Sequence, residues 1–258
     1  MANDRIAVAH LTSPSVSAYP WSAGFGTKYA DPGTLPTGDG RSVAFGTSDI
    51  AVAHLTSPRV SAYPWSAGFG TKYADPGTLP TGYGLVVAFG TSDIAVAHFT
   101  SPFVSAYPWS AGFGTKYANP GTLPTSYGYG VAFGTSDIAV AHTALPRVSA
   151  YPWSAGFGTK YANPGTLPAG TGYGVAFGAS DIAVAHRISP FVSAYPWSAG
   201  FGTKYANPGT LPTGTGYGVA FGIAAAAPPA AASPSRTMRL FEGFKIKLIS
   251  GRLKIQQK

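Results

Sequence analysis

The chain has no cysteine, which excludes disulfides and thiolate metal sites and leaves the redox compartment open. Charge is scarce as well, at 10% of 258 residues. No apolar run reaches the roughly 18 residues that a spanning helix needs, so no membrane span is expected. No basic, apolar, small-residue leader precedes Ile6, so no signal peptide is expected and the product is expected to be made in the cytoplasm. The Asn-X-Ser/Thr acceptor is missing, because Asn119, Asn163 and Asn207 each precede proline. What is abundant is Gly (34) and Pro (23), which disfavours long helices and favours short strands joined by turns.

Tryptophan stands at 21, 65, 109, 153 and 197, and histidine at 10, 54, 98, 142 and 186, so both series advance by 44 residues without an insertion. This five-fold repeat has the period of a four-stranded propeller blade, a unit that cannot cover its own two faces and must stack on copies of itself. One period resolves into four short segments. Val86 to Phe89 is an apolar run closed by Gly90, and Ile94 to His98 follows the turn Thr91-Ser92-Asp93. Phe103 to Tyr107 stops at Pro108, and Gly114 to Ala118, with Lys116, suits an outer edge before the turn Asn119-Pro120-Gly121.

Alternation within Ile94 to His98 puts Ile94, Val96 and His98 on one face and Ala95 and Ala97 on the other. Large groups of one blade can then meet small groups of the next. The expected fold class is all-β, a five-bladed β-propeller of 44-residue four-stranded blades over 1–222. The chain enters the repeat at the second strand, Ile6, and leaves it at a first strand, Val219 to Phe221, so those two ends are expected to pair and close the ring.

The run Gly174 to Phe177, then Asp181 to His186, then Val192 to Tyr195, resembles the inner three strands of WD40-like repeats of bacterial and phage proteins, and the resemblance covers residues 1–222. Two features of that family are missing: no Gly-His precedes the first strand and no Trp-Asp ends the third. The hydrogen-bonded tetrad of WD40 blades is therefore not carried over. The number of equal blades is also similar to that of tachylectin-type lectins.

The five copies differ mainly at two connections, between strands two and three and before strand one. An up-and-down blade places both on one face of the disc. Leu55, Arg59, Tyr83, Phe99, Phe103, Tyr127, Arg147, Arg187 and Phe191 occupy these positions and form the candidate partner-binding face, because aromatic and Arg side chains make strong anchors. Against this stands drift in solvent turns, which would favour polar replacements. Trp21, Trp65, Trp109, Trp153 and Trp197 are read first as buried between blades, and alternatively as a five-fold glycan site. The histidines, in phase with Ile50 and Val52, are read as hydrogen-bonded strand ends and not as metal ligands. Asp49, Asp93, Asp137 and Asp181 recur singly, with Arg5 in the first copy, so they offer no carboxylate pair for acid/base chemistry and are read as turn residues. No enzyme, cofactor or metal is expected.

The last segment departs from the repeat. Up to Gly222 there are 10 Lys/Arg against 8 Asp/Glu, whereas Ile223 to Lys258 has 7 against Glu242 alone. Residues 223–237 read as an Ala/Pro linker. In 238–258, Phe244, Ile246 and Leu248 alternate with Lys245 and Lys247, and after Ser250-Gly251 come Leu253 and Ile255 with Lys254, a hairpin pattern. A lone hairpin with one apolar face needs cover, so this basic tail is expected to anchor the propeller to other chains of a multi-copy assembly, with nucleic acid disfavoured as its partner. The expected function is a non-enzymatic structural and recognition protein, displayed on an assembly such as a phage virion and meeting a surface glycan or receptor with its varied face. The alternatives are a free multivalent lectin and an engineered consensus propeller.

Overall fold

The computed structural model describes residues 5–222 and the backbone of 244–249 and 252–257. The first period gives β1 (Arg5–Ala9) and β2 (Val16–Pro20). The next two give β3 (Gly40–Phe45), β4 (Asp49–His54) and β5 (Val60–Pro64), then β6 (Gly84–Phe89), β7 (Asp93–His98) and β8 (Val104–Pro108). The last two give β9 (Gly128–Phe133), β10 (Asp137–His142) and β11 (Val148–Pro152), then β12 (Gly172–Phe177), β13 (Asp181–His186) and β14 (Val192–Pro196). Each triplet is an antiparallel sheet with its second strand in the middle. The described body is all-β, and its five repeated sheets are the blades of a propeller.

The fourth, outer strand of each blade takes an irregular form. Trp109 and Phe113 make an isolated bridge, and the Tyr117 N–H donates to the Ala106 carbonyl at 2.9 Å. Pro108 on one side and Asn119-Pro120-Gly121 on the other leave too few donors for a longer ladder.

Blade stacking follows the size alternation. Ala51, Ala53, Val60 and Ala62 of one blade pack on Val87, Ile94, Val96 and Tyr107 of the next, and the same set recurs one and two periods later. Because β-strand side chains alternate, the six residues of β4, β7 and β10 are all buried, three on each face. The inner strands approach closely. A Cβ on Gly128 would lie 2.3 Å from the Phe103 carbonyl oxygen, which is backbone and cannot swing aside. Gly128→Ala is therefore expected to destabilise by about 1–3 kcal/mol, the range for forced backbone movement in a packed core, measurable by urea unfolding.

The expected closure is not formed. Among the described residues β1 pairs only with β2, and residues 219–221 belong to no strand. The segment instead lies beside β12, with the Tyr217 carbonyl facing Gly174 and Gly216 N–H donating to the His186 carbonyl at 3.1 Å. Closing a ring requires the rotations at successive joints to add to a full turn. That rotation depends on how near the inner strands lie relative to the wider Ala-on-Ile contact outside them, a quantity the period does not encode.

A second unit comprises Gly222–Lys258. Within it β15 (Phe244–Ile249) and β16 (Arg252–Gln257) pair antiparallel, with Leu248 opposite Leu253, Ile246 opposite Ile255 and Lys247 opposite Lys254. The linker expected at 223–237, and the side chains of the expected anchor residues Phe244, Lys245, Ile246, Lys247, Leu248, Leu253, Lys254 and Ile255, lie outside the described residues.

Candidate functional site

The strand register sorts the connections onto two sides. Gly84 pairs with His98 at one end of its sheet, and Asp93 with Pro108 at the other. The first end carries the varied connections and the second the constant ones.

On the constant side, a single carboxylate ties each blade to the next. Asp49 accepts from the Tyr73 hydroxyl at 2.8 Å and from the Trp109 indole N–H at 3.0 Å. Asp93 takes Tyr117 and Trp153, and Asp137 takes Tyr161 and Trp197, at 2.8 to 3.0 Å. Each indole also sits among three rings: Trp109 meets Tyr73, Phe89 and Phe113 edge-on at 5.1 to 5.3 Å. A further bond crosses every joint, from Tyr63, Tyr107, Tyr151 and Tyr195 to a threonine carbonyl of the preceding blade at 2.8 Å. In the first blade Arg5 replaces the aspartate. It lies 5.0 Å from the Phe45 ring centroid and 6.0 Å from that of Trp65, and its guanidinium donates to the Thr47 carbonyl. The tryptophans from Trp65 onward thus serve the joints between blades.

The histidines are strand-end residues. His54, His98, His142 and His186 are fully buried, with Nε2 3.0 Å from the Oγ of Ser61, Ser105, Ser149 and Ser193. His142 Nδ1 lies 3.0 Å from the Ala144 carbonyl, so Nδ1 donates and Nε2 accepts from the serine. Burial pushes His54, His98 and His142 down to about 4 and lowers His186 as well, so all four are neutral at pH 7. Among the described residues no three His, Asp, Glu or Cys side chains gather in a metal-holding group.

The varied side carries an aromatic ladder. Phe99 stacks on Tyr127 with centroids 3.8 Å apart at 14°. Phe103 meets Tyr127 edge-on at 6.3 Å, Tyr83 tilts against Phe99 at 6.1 Å, and the Arg59 guanidinium lies 5.3 Å from the Tyr83 ring centroid. Tyr83 and Tyr127 are exposed. The tight connection makes this array: Phe99 N–H donates to the Tyr83 carbonyl, and Arg59 and Phe103 hold φ of 76° and 71°, a left-handed conformation unusual for such side chains. Five of the nine expected face residues are therefore brought together. Leu55 accepts a bond from Arg59 at its carbonyl, and Arg147 turns back on the Thr143 carbonyl with its Nε buried and unbonded. Arg187 is exposed and Phe191 half-buried, both apart from the ladder.

Between blades on the constant side lie repeated open clefts. One of about 280 Å³ is lined by Tyr29, Pro64 and residues 66–70, and its equivalent of about 330 Å³ by Tyr73, Pro108 and residues 110–114.

No protein-family model matches the chain, and no curated protein does. Solved structures do. The WD40 propeller domain of Doa1 is similar at a TM-score of 0.58 and 9% identity, over 81% of this chain and 67% of that one. A candidate 6-phosphogluconolactonase from Bacteroides uniformis matches at 0.56 and 11%, over 79% and 67%. The computationally designed Ika8 matches at 0.55 and 11%, over 72% of this chain and 56% of its own. The chain spans little more than half of that design. Likeness at this identity is likeness of fold, and the fold is the β-propeller.

Proposed function

We propose that the chain is a non-enzymatic repeat scaffold whose varied face recognises a protein partner, and that residues 238–258 hold it on a multi-copy assembly. One observation carries the recognition reading. Arg59, Tyr83, Phe99, Tyr127 and Phe103 form a continuous, partly exposed ladder at turns where solvent-facing drift would leave polar residues. Stacked aromatics flanked by a guanidinium are the side chains that dominate binding energy in protein interfaces. Catalysis lacks a comparable support, since the recurring carboxylates are already bonded to Tyr and Trp. The assembly, with a phage virion as the favoured example, rests on the resemblance to bacterial and phage WD40-like repeats and on the alternating basic tail.

The test uses a peptide array and a glycan array, each probed with the native chain and with Phe99→Ser/Phe103→Ser/Tyr127→Ser. We expect peptide signals lost in a variant whose melting temperature stays within a few degrees, because half-exposed turn residues carry little of the core. Signals that survive the triple substitution sink the reading. A second reading, a multivalent lectin, is favoured by the repeated clefts beside Tyr29 and Tyr73. Glycan signals unaffected by the triple variant and weakened by Tyr29→Ala/Tyr73→Ala in a folded chain would select it.

For the tail, Ile246→Asp/Leu248→Asp is expected to release the propeller from its assembly without lowering its melting temperature. Retention of the doubly substituted chain on the assembly would contradict that role.

A further inference from the structure

We infer that the two terminal faces of the propeller are mates, and that the partner of each is the opposite face of a second copy of this chain. The inference is independent of the recognition reading. It rests on what each end has left unspent.

At three of the four internal joints, the tryptophan of one blade enters a cage made by an aspartate and a tyrosine of the preceding blade and by the phenylalanine that ends its own first strand, and at the first joint Arg5 stands in the aspartate's place. Trp109 has Asp49, Tyr73 and Phe89 in these places. Trp21 has none of them. Among the described residues its sole ring neighbour is Phe25 at 5.1 Å and its indole N–H has no acceptor, and it is 36% exposed where Trp65 is 5%. The equivalents of the missing groups, three periods after Asp49, Tyr73 and Phe89, are Asp181, Tyr205 and Phe221.

All three are present at the other end in usable form. The Tyr205 hydroxyl already donates to Asp181 at 2.8 Å, as Tyr73 does to Asp49, while no indole reaches that carboxylate. Tyr205 is 48% and Phe221 40% exposed. The backbones match in the same way. Among the described residues the β1 strand lacks a first strand on its inner edge, and residues 216–221 run where a first strand runs, beside β12, without a second strand of their own. The sheet faces agree in part. The N-terminal blade leaves Val8 of its large-residue face exposed, and on the small-residue face of the C-terminal blade Val192 and Ala194 of the third strand are half-buried where Val60 and Ala62 are buried, although Ala183 and Ala185 beside them stay buried.

Joining the ends therefore repeats a joint the chain already makes within itself. The internal register, Phe45 opposite Ile50 and Val43 opposite Val52, places Phe221 of one copy opposite Ile6 of the next, and Val219 opposite Val8. Such an interface is heterologous, so copies add head to tail until a ring closes or a filament grows. Main-chain pairing along a free strand edge supplies affinity, and Trp21 in its cage supplies specificity.

The absence of native cysteine makes a direct test available. Full-length chains with Val8→Cys and with Val219→Cys are mixed, oxidised and run without reductant. A disulfide-linked one-to-one pair is expected, because opposed residues of neighbouring strands lie within disulfide reach. Adding Trp21→Ala to the first chain should weaken association at least roughly tenfold in sedimentation, the size of a hot-spot loss, with its circular dichroism unchanged. No cross-link in the mixture overturns the inference. So does a Val8→Cys/Val219→Cys double variant that gives only an internally linked monomer, which would mean the ring closes within one chain.

Discussion

The melting temperature is expected to hold steady from pH 8 to 7 and to fall steeply as pH drops from about 6.5 toward 4. His54, His98 and His142 are held down to about 4 by burial, against an ordinary value of 6.5. Between those values the unfolded chain takes up protons that the folded chain refuses, so stability present above the unfolded value is lost as pH falls. A depression of that size corresponds to on the order of 3 kcal/mol for each histidine, at 1.36 kcal/mol per pH unit. Three together approach the whole stability of a typical domain, so acid unfolding is expected before pH 4. Replacing His98 by Asn should flatten the slope by roughly a third, as one of the three strongly depressed sites is removed. A melting temperature that stays level down to pH 4 would show that protonated imidazoles are accommodated.

The second large effect is a contrast between equivalent aspartates. Asp137→Ala removes the acceptor of both Tyr161 and Trp197, and bonds to a charged acceptor contribute about 1.5–3 kcal/mol each, so a loss of about 3–6 kcal/mol is expected. Asp181→Ala removes the exposed Tyr205 bond and the bond from the adjacent Ser180, with no tryptophan involved, and should cost less than about 1 kcal/mol of monomer stability. Urea unfolding of the two variants at low protein concentration makes the comparison. Equal losses would deny that the carboxylate acts by joining blades.

These residues also show where sequence reading stops. The period, the strand order and the Ala-against-Ile contact follow from spacing and alternation, and the structure contains them. By its nearest neighbours in sequence the aspartate is a turn residue. Its partners, Tyr73 and Trp109 for Asp49, lie 24 and 60 positions away and meet it only when blades stack. A signal was present: a tryptophan destined for burial needs an acceptor for its N–H, and one aspartate per period is the available anion. The closure of the ring was beyond spacing, because it depends on an angle between blades. The aromatic face was legible as a set of positions, while the stacking of Phe99 on Tyr127 depends on a left-handed backbone at Phe103 that no composition rule assigns to phenylalanine.

The most direct measurement is equilibrium unfolding of Trp109→Ala beside Tyr127→Ser. If the constant side binds the blades and the varied side is open surface, Trp109→Ala should lose about 3–5 kcal/mol, as large core truncations do, and Tyr127→Ser no more than about 1 kcal/mol. Losses of similar size on the two sides would contradict that division of labour.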